Sequence, residues 1–256
     1  MLPKIFTDLR VRMLRLFFVF IGFITLQAEE YPRRFEGKFE QWESKKFALI
    51  ALFLPPDPVI LHAGAHYGEE TKELALCWPF GKVMGFEPNP RAFGFSLTNT
   101  AFLKNLELYP YALYDREGIE PFYICHGTGG DSYDFEHSSS LLWPSEAMAW
   151  HYRGPTIHVE CVTLDEWCAS KEIEHVDFLR LDLQGAELQA LKEAYKILKT
   201  IKVIHVETNF FLFRIGTTLY PELREFLEEV GFTLLSHWYR EGLTGSAIFI
   251  NNHFYH

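Results

Sequence analysis

A chain of 256 residues, 48% hydrophobic and 23% charged, can bury the core of one α/β domain and requires no second domain. Its 24 Lys and Arg against 34 Asp and Glu leave a net charge of -10, which argues against an obligatory nucleic-acid partner, since phosphate binding shows as a basic face. The four cysteines, Cys77, Cys125, Cys161 and Cys168, are spaced wrongly for zinc and too few for a disulfide framework, so no metal site is expected and Cys77 and Cys161 read as buried free thiols.

In chain order, Lys4, Arg10, Arg12 and Arg15 precede the apolar run Leu16 to Leu26. Residues 1–28 thus have the charged and apolar regions of a secretory signal or membrane anchor, with Ala28 before the cleavage point and a run too short for a comfortable span. Export, or membrane association through residues 14–28, is one expectation; an interfacial helix packed on the domain is the other. Residues 29–58 read as a helical lead-in, with a helix over Phe39 to Leu54 stopped by Pro55, Pro56 and Pro58.

From residue 59 to 256 apolar runs alternate with helical patterns. Strands are expected at Val59 to Ala63, Lys82 to Glu87, Leu106 to Leu113, Asp177 to Asp182 and Ile201 to Glu207. Helices are expected at Glu69 to Cys77, Arg91 to Leu103, Gln184 to Ile197 and Pro221 to Val230. Phe232 to His237 and Ser246 to Ile250 read as a closing antiparallel pair joined by a turn over Arg240 to Gly245. Such alternation implies right-handed βαβ units and a mostly parallel sheet. It breaks between Asp115 and Trp167, where strands at Pro121 to Cys125 and Thr156 to Val162 flank a polar loop, His126 to Ser140. The aromatic content around that loop (Phe135, Trp143, Trp150, Tyr152) favours a pocket wall over disorder.

The stretch VILHAGAHYG (Val59 to Gly68) places Gly64, Ala65 and Gly68 between a strand and a helix, where backbone N–H groups can approach a ligand. The next apolar run ends on Glu87, roughly 20 residues on, the distance at which an acid accepts hydrogen bonds from ribose hydroxyls. In a parallel sheet the ligand lies beyond the carboxyl ends of the strands, where Gly64, Glu87 and Tyr111 to Leu113 converge. An adenosine-type ligand is expected there; a structural glycine turn is the alternative.

The segments VILHAGAHYGEET, GFEPNP, HSSSLL, VTLDEW, DFLRLDLQGAELQAL and VIHVET stand in the order and spacing of the FkbM-type S-adenosylmethionine-dependent methyltransferases. The resemblance runs over Val59 to Glu207. It implies a class I methyltransferase (Rossmann-like) fold, a seven-stranded, mostly parallel sheet with an antiparallel C-terminal hairpin and an inserted β/loop segment. It also implies S-adenosylmethionine as cofactor and transfer to a hydroxyl oxygen of a small molecule, sugar or lipid. Gly64, Ala65 and Gly68 match the family's donor loop, Glu87 its ribose-binding acid, and Asp182, Gly185, Ala186 and Glu187 the segment after the fourth strand. With them, His62 and Ala112 complete the expected cofactor-binding set. His62 stands where the family usually has Asp, His66 where it has Asn, and Gln184 where it commonly has Glu.

A sulfonium methyl is already activated, so the protein must align donor and acceptor and remove a proton. The candidate catalytic residues are Asp182, His205 and Glu187, in that order, then His137. Each has an ordinary structural role as well: Asp182 as a helix cap, Glu187 as a first-turn acid, His205 as a core histidine. Ser139 and Ser140 are candidate acceptor contacts. Two other functional readings stand beside this one: a nicotinamide-dependent oxidoreductase, whose full G-x-G-x-x-G is missing here, and a non-catalytic exported relative.

Overall fold

The computed structural model describes residues 39–126, 135–146, 149, 154–240 and 243–255. The signal-like segment, residues 29–38 of the lead-in, part of the polar loop with Trp150 and Tyr152, and part of the Arg240 to Gly245 turn lie outside the described residues.

The chain opens on helix α1 (Phe39–Ala51) and alternates through β1 (Val59–Ala63), α2 (Glu69–Cys77), β2 (Lys82–Phe86), α3 (Pro90–Thr100) and β3 (Leu106–Tyr109). It continues through β4 (Ala112–Leu113), β5 (Gly118–Tyr123), a 3-10 turn (Glu136–Ser138), β6 (Thr156–Val162), α4 (Leu164–Ser170), β7 (Phe178–Leu181) and α5 (Glu187–Lys192). After a second 3-10 turn (Ile197–Lys199) come β8 (Val203–Asn209), α6 (Tyr220–Glu229), β9 (Phe232–Arg240) and β10 (Thr244–Asn251). Seven strands form one sheet in the order β3-β2-β1-β7-β8-β10-β9. The first five are parallel and β10 is antiparallel to both of its neighbours. That order, reversing at β1 and closing on an inserted antiparallel strand, is the class I methyltransferase fold.

The central strands are mostly apolar because both faces are covered, with His62 on β1, Arg180 on β7 and His205 on β8 as buried exceptions. Leu61 and Ala63 of β1 turn to a core shared with Trp167, Leu188, Leu191 and Leu223. Ile60 turns to a second core with Ile50 of α1 and Leu74, Ala75 and Trp78 at α2. In the first core Trp167 meets Phe86 and Tyr109 edge-on, ring centroids 4.6 and 4.9 Å apart; such pairs add about 1 kcal/mol to the burial itself. α3 begins on Asn89, whose side chain accepts from Arg91 N, with Pro90 in its first turn, both common helix-start devices.

Several expectations need correction. Leu106 to Leu113 is two strands rather than one: Pro110, with no N–H to donate, ends β3, and β4 joins a separate three-stranded sheet in the order β4-β6-β5. The helix expected over Gln184 to Ile197 shrinks to Glu187–Lys192, since Gln184 and Gly185 have φ of 55° and 105°, values a right-handed helix cannot accommodate. Cys77, expected buried, is exposed, while Cys125, Cys161 and Cys168 are buried, and none of the four is in a disulfide. Among the described residues, no helix is long and apolar enough to cross a membrane, and no group of three or more His, Cys, Asp or Glu is placed to hold a metal.

Candidate active site

β1 ends at a turn whose backbone is dictated by neighbouring strands. Gly64 N and Ala65 N both donate to Phe86 O, at 3.0 and 2.9 Å, and Asp182 N donates to Ala63 O at 3.0 Å. The turn then passes through His66 (φ 48°) to Gly68 (φ 83°), where α2 begins. His66 is an uncommon left-handed non-glycine residue. Its N–H donates to Glu87 Oε2 at 2.7 Å, and Asn89 N donates to Glu87 Oε1 at 2.8 Å. Glu87 is thus buried and clamped from two sides; burial nevertheless pushes its carboxyl up to about 7, against the pull of these two N–H groups.

Gly64, His66, Glu87 and Pro88 line a cleft closed on the far side by Tyr111, Ala112, Leu113, Phe122 and Leu141 and at its end by Asp182 and Gln184. Its cavity volume is about 130 Å³. A second, polar cleft adjoins it, lined by Arg180, Glu207, Asn209, Arg214, Trp238 and Ser246, with His137, Asp182 and Gln184 common to both. Asp182 Oδ2 accepts from Arg180 Nη2 at 3.0 Å and Oδ1 from Gln184 Nε2 at 2.8 Å. The same amide donates to Glu207 Oε2 at 3.1 Å.

Residues 62–234 match the model of the methyltransferase FkbM domain. The chain belongs to the FkbM methyltransferase family. It is 31% identical over 163 residues to the 2-O-methyltransferase NoeI of Sinorhizobium fredii, covering 62% of this chain and 66% of NoeI, just under two thirds of that relative's length. To the methyltransferase sdnD of Sordaria araneosa it is 22% identical over 204 residues, covering 71% of this chain and 76% of that one. Among solved structures, the fibrillarin pre-rRNA processing protein of Methanococcus jannaschii aligns with a TM-score of 0.46 at 15% identity, covering 77% of this chain and 67% of that one. The N-methyltransferase NodS of Bradyrhizobium japonicum aligns with a TM-score of 0.46 at 12% identity, covering 84% and 98%. The fold assignment rests on strand order, not on these alignments.

S-adenosylmethionine is the cofactor of an FkbM domain, and the first cleft fits it. A Cβ on Gly64 would stand 2.0 Å from Asp182 O, so only glycine lets the ends of β1 and β7 come together in the floor of the cleft. Each oxygen of Glu87 accepts one backbone N–H and keeps a second lone pair for a ribose hydroxyl. The apolar wall at Tyr111, Ala112, Leu113 and Phe122 suits the face of a purine.

Of the expected cofactor-binding residues, Gly64, Glu87, Ala112 and Asp182 line this cleft, whereas Ala65 and Gly68 shape its turn without lining it. His62 points elsewhere. Two residues before Gly64 on a pleated strand, its ring is buried toward α2, Nδ1 2.8 Å from Thr71 Oγ1 and Nε2 3.9 Å from Glu70 Oε2. Burial, chiefly, lowers it to about 4, so it is neutral at pH 7. A histidine whose folded value is lowered contributes stability that is present above its unfolded value near 6.5 and lost as pH falls toward 4. Relative to His62→Leu, the native protein is therefore expected to lose about 2 kcal/mol between pH 6.5 and pH 5. Urea unfolding at the two pH values measures this, and parallel losses in both proteins would refute it.

The expected catalytic residues divide. Asp182 lies in the wall between the clefts. Glu187 lies in neither: it is buried, and its Oε1 accepts from Leu183 N at 2.9 Å and Gly185 N at 3.2 Å, bracing the left-handed turn. His205 is buried behind the polar cleft, its Nε2 2.6 Å from Ser246 Oγ. His137 lines both clefts and Ser139 the first, while Ser140 is buried and donates to Gln184 O at 3.2 Å.

Sequence reading did not single out Arg180, Glu207, Arg214 or Glu136. Glu136 is buried and gathers three partners: Tyr67 OH donates to Oε2 at 2.8 Å, Asn89 Nδ2 to Oε1 at 2.8 Å, and Arg91 Nη1 to Oε2. It thereby ties the inserted segment to the donor loop at Tyr67 and to the turn after Glu87. Glu136→Ala is expected to cost about 2 kcal/mol, the scale of taking the acceptor from the buried Asn89 amide and the Tyr67 hydroxyl. It should also open the peptide bonds around residues 135–146 to protease at native pH. Equal melting and equal cleavage of variant and parent would contradict this.

Proposed function

We propose that the protein is an S-adenosylmethionine-dependent methyltransferase that methylates a hydroxyl oxygen of a small polyhydroxylated molecule or glycan. The observation that carries this reading is the wall common to both clefts: Asp182 and Gln184 face the donor cleft on one side and the polar cleft on the other. An acceptor in the second cleft meets the donor over that wall. Bound donor supplies a methyl group already activated on a positively charged sulfur. The remaining requirements are alignment, exclusion of water and proton removal, and these fall to the chain.

Two features favour hydroxylated acceptors. The polar cleft offers hydrogen-bonding groups of both kinds, Asn209, Ser246, Glu207 and Arg214, beside the indole of Trp238, a combination suited to a ring with hydroxyls on its rim and C–H groups on its face. The relative NoeI is named a 2-O-methyltransferase. Family membership also favours S-adenosylmethionine over a nicotinamide cofactor.

The test is calorimetric titration of the full chain with S-adenosylmethionine and NAD, followed by transfer of a tritiated methyl group to a panel of methyl hexopyranosides, phenols, amino sugars and sugar acids. The reading expects heat with the first cofactor only and label in base-stable, ether-linked form. Label in an ester or amine product would overturn the hydroxyl assignment; heat only with NAD would overturn the whole reading.

A further inference from the structure

We infer that Glu207 is the residue that takes the proton from the acceptor hydroxyl, and that Asp182 is a fixed charge beside it rather than the base. This rests on the methyl-transfer reading above. Two carboxylates meet at the wall of the polar cleft, bridged by the Gln184 amide at 2.8 Å to Asp182 and 3.1 Å to Glu207. They are held differently. Both oxygens of Asp182 are engaged, one by Gln184 and one by the Arg180 guanidinium, which in turn donates from Nε to Glu70 Oε2 at 3.0 Å. Lys46 Nζ closes this chain on Glu70 Oε1 at 2.8 Å. Asp182 is thereby fixed in a partly buried ion pair.

Glu207 takes a single hydrogen bond among the described residues, from Gln184, and lines only the polar cleft. The groups around it act in a definite balance. Burial raises its carboxyl, the charges of Asp182 at the end of β7 and Glu187 on α5 raise it further, and Arg180 and Arg214 only partly offset them, leaving it well above the usual range. His205 lies two residues earlier on the same face of β8. Burial and the Arg180 charge hold it well below its usual value despite Glu70, so it resists the proton that a base must accept. On β10, Ser246 is the register partner of Glu207 and brings a hydroxyl to the same wall of the cleft.

The step balances simply. The acceptor's O–H proton passes to the Glu207 carboxylate, the oxygen pair so freed forms the new O–C bond, and the C–S bond pair stays on sulfur, whose positive charge disappears. Glu207 then returns its proton to solvent through the open polar cleft.

The test uses the full chain as parent, Glu207→Gln, Glu207→Asp and Asp182→Asn. Infrared difference spectra across pH should contain one carboxyl in the parent that is absent from Glu207→Gln. Its midpoint should stand above the ~4.3 of a free glutamate and fall in Asp182→Asn. S-adenosylhomocysteine should bind Glu207→Gln within about threefold of the parent, because Glu207 lies outside the donor cleft. With methyl hexopyranosides as acceptors, Glu207→Gln should slow transfer by roughly 10²–10⁴ with little change in KM, and Glu207→Asp should recover part of the rate. Superimposable spectra of parent and Glu207→Gln above pH 5 overturn the assignment, as does full transfer by Glu207→Gln. A tenfold loss of S-adenosylhomocysteine binding in Glu207→Gln makes it a donor-site residue instead. Failure of the parent to bind S-adenosylhomocysteine would sink the methyl-transfer reading, which the carboxyl spectra do not depend on.

Discussion

Alanine in place of Gly64 is expected to abolish donor binding and to lower the free energy of unfolding by about 3–5 kcal/mol, from left-handed strain and overpacking together. The added Cβ would lie 2.0 Å from the carbonyl oxygen of Asp182 and 3.0 Å from its carbon, both backbone atoms with no rotamer to move aside. The residue also sits at φ 87°, which disfavours any side chain. Relief would require the ends of β1 and β7 to part, and with them the bond from Asp182 N to Ala63 O. Since Gly64 and Asp182 are neighbouring residues in the lining of the same cleft, the cleft would deform with the sheet. Urea unfolding and titration with S-adenosylhomocysteine together check this. A variant with parental stability would show that the two strand ends tolerate separation.

Removal of the Glu87 carboxyl is expected to weaken donor binding by about 100-fold, near 3 kcal/mol, the worth of two hydrogen bonds to a charged acceptor. Its pH dependence is the sharper prediction. Without ligand, burial holds the Glu87 carboxyl at about 7. The ionised form is the better acceptor for ribose hydroxyls and for the N–H groups of His66 and Asn89. Binding therefore favours loss of the proton, and donor affinity should rise with pH, up to tenfold per unit below 7, and level off above it. Glu87→Gln should bind weakly with a flat profile. Calorimetry from pH 5.5 to 8.5 in buffers of different ionisation heat would also count the released proton. Affinity that falls as pH rises, or no difference in slope between parent and variant, would remove Glu87 from the ribose site.

These two residues were also the most legible in the sequence. An apolar run that ends on a polar group at a glycine turn or an acid marks a strand whose carboxyl end faces a ligand, and Gly64, Glu87 and Asp182 all sit at such ends. Glu207 ends the run IKVIHVE by the same rule and was open to the same reading. The mostly parallel sheet followed from the alternation, because buried parallel strands and their helices leave unmistakable apolar runs. The side to which His62 turns was not legible: with both faces of β1 covered, no polar–apolar alternation reports which neighbour faces the cleft. The short α5 was hidden because left-handed geometry at Gln184 is set by the Glu187 carboxylate gripping Leu183 N and Gly185 N, a tertiary arrangement inside a helical pattern. Glu136 was beyond reach for another reason. Its partners Tyr67, Asn89 and Arg91 come from 45 to 69 residues away, and nothing local in a polar loop announces such contacts.

The most direct measurement is a crystal structure of the full chain grown with S-adenosylhomocysteine. The account predicts the ribose hydroxyls on the Glu87 carboxylate and the purine against Ala112 and Phe122. The sulfur should lie at the Asp182–Gln184 wall, facing the polar cleft that holds Glu207, with His62 out of contact. Product bound away from Glu87, or with its sulfur turned from the polar cleft, would contradict it.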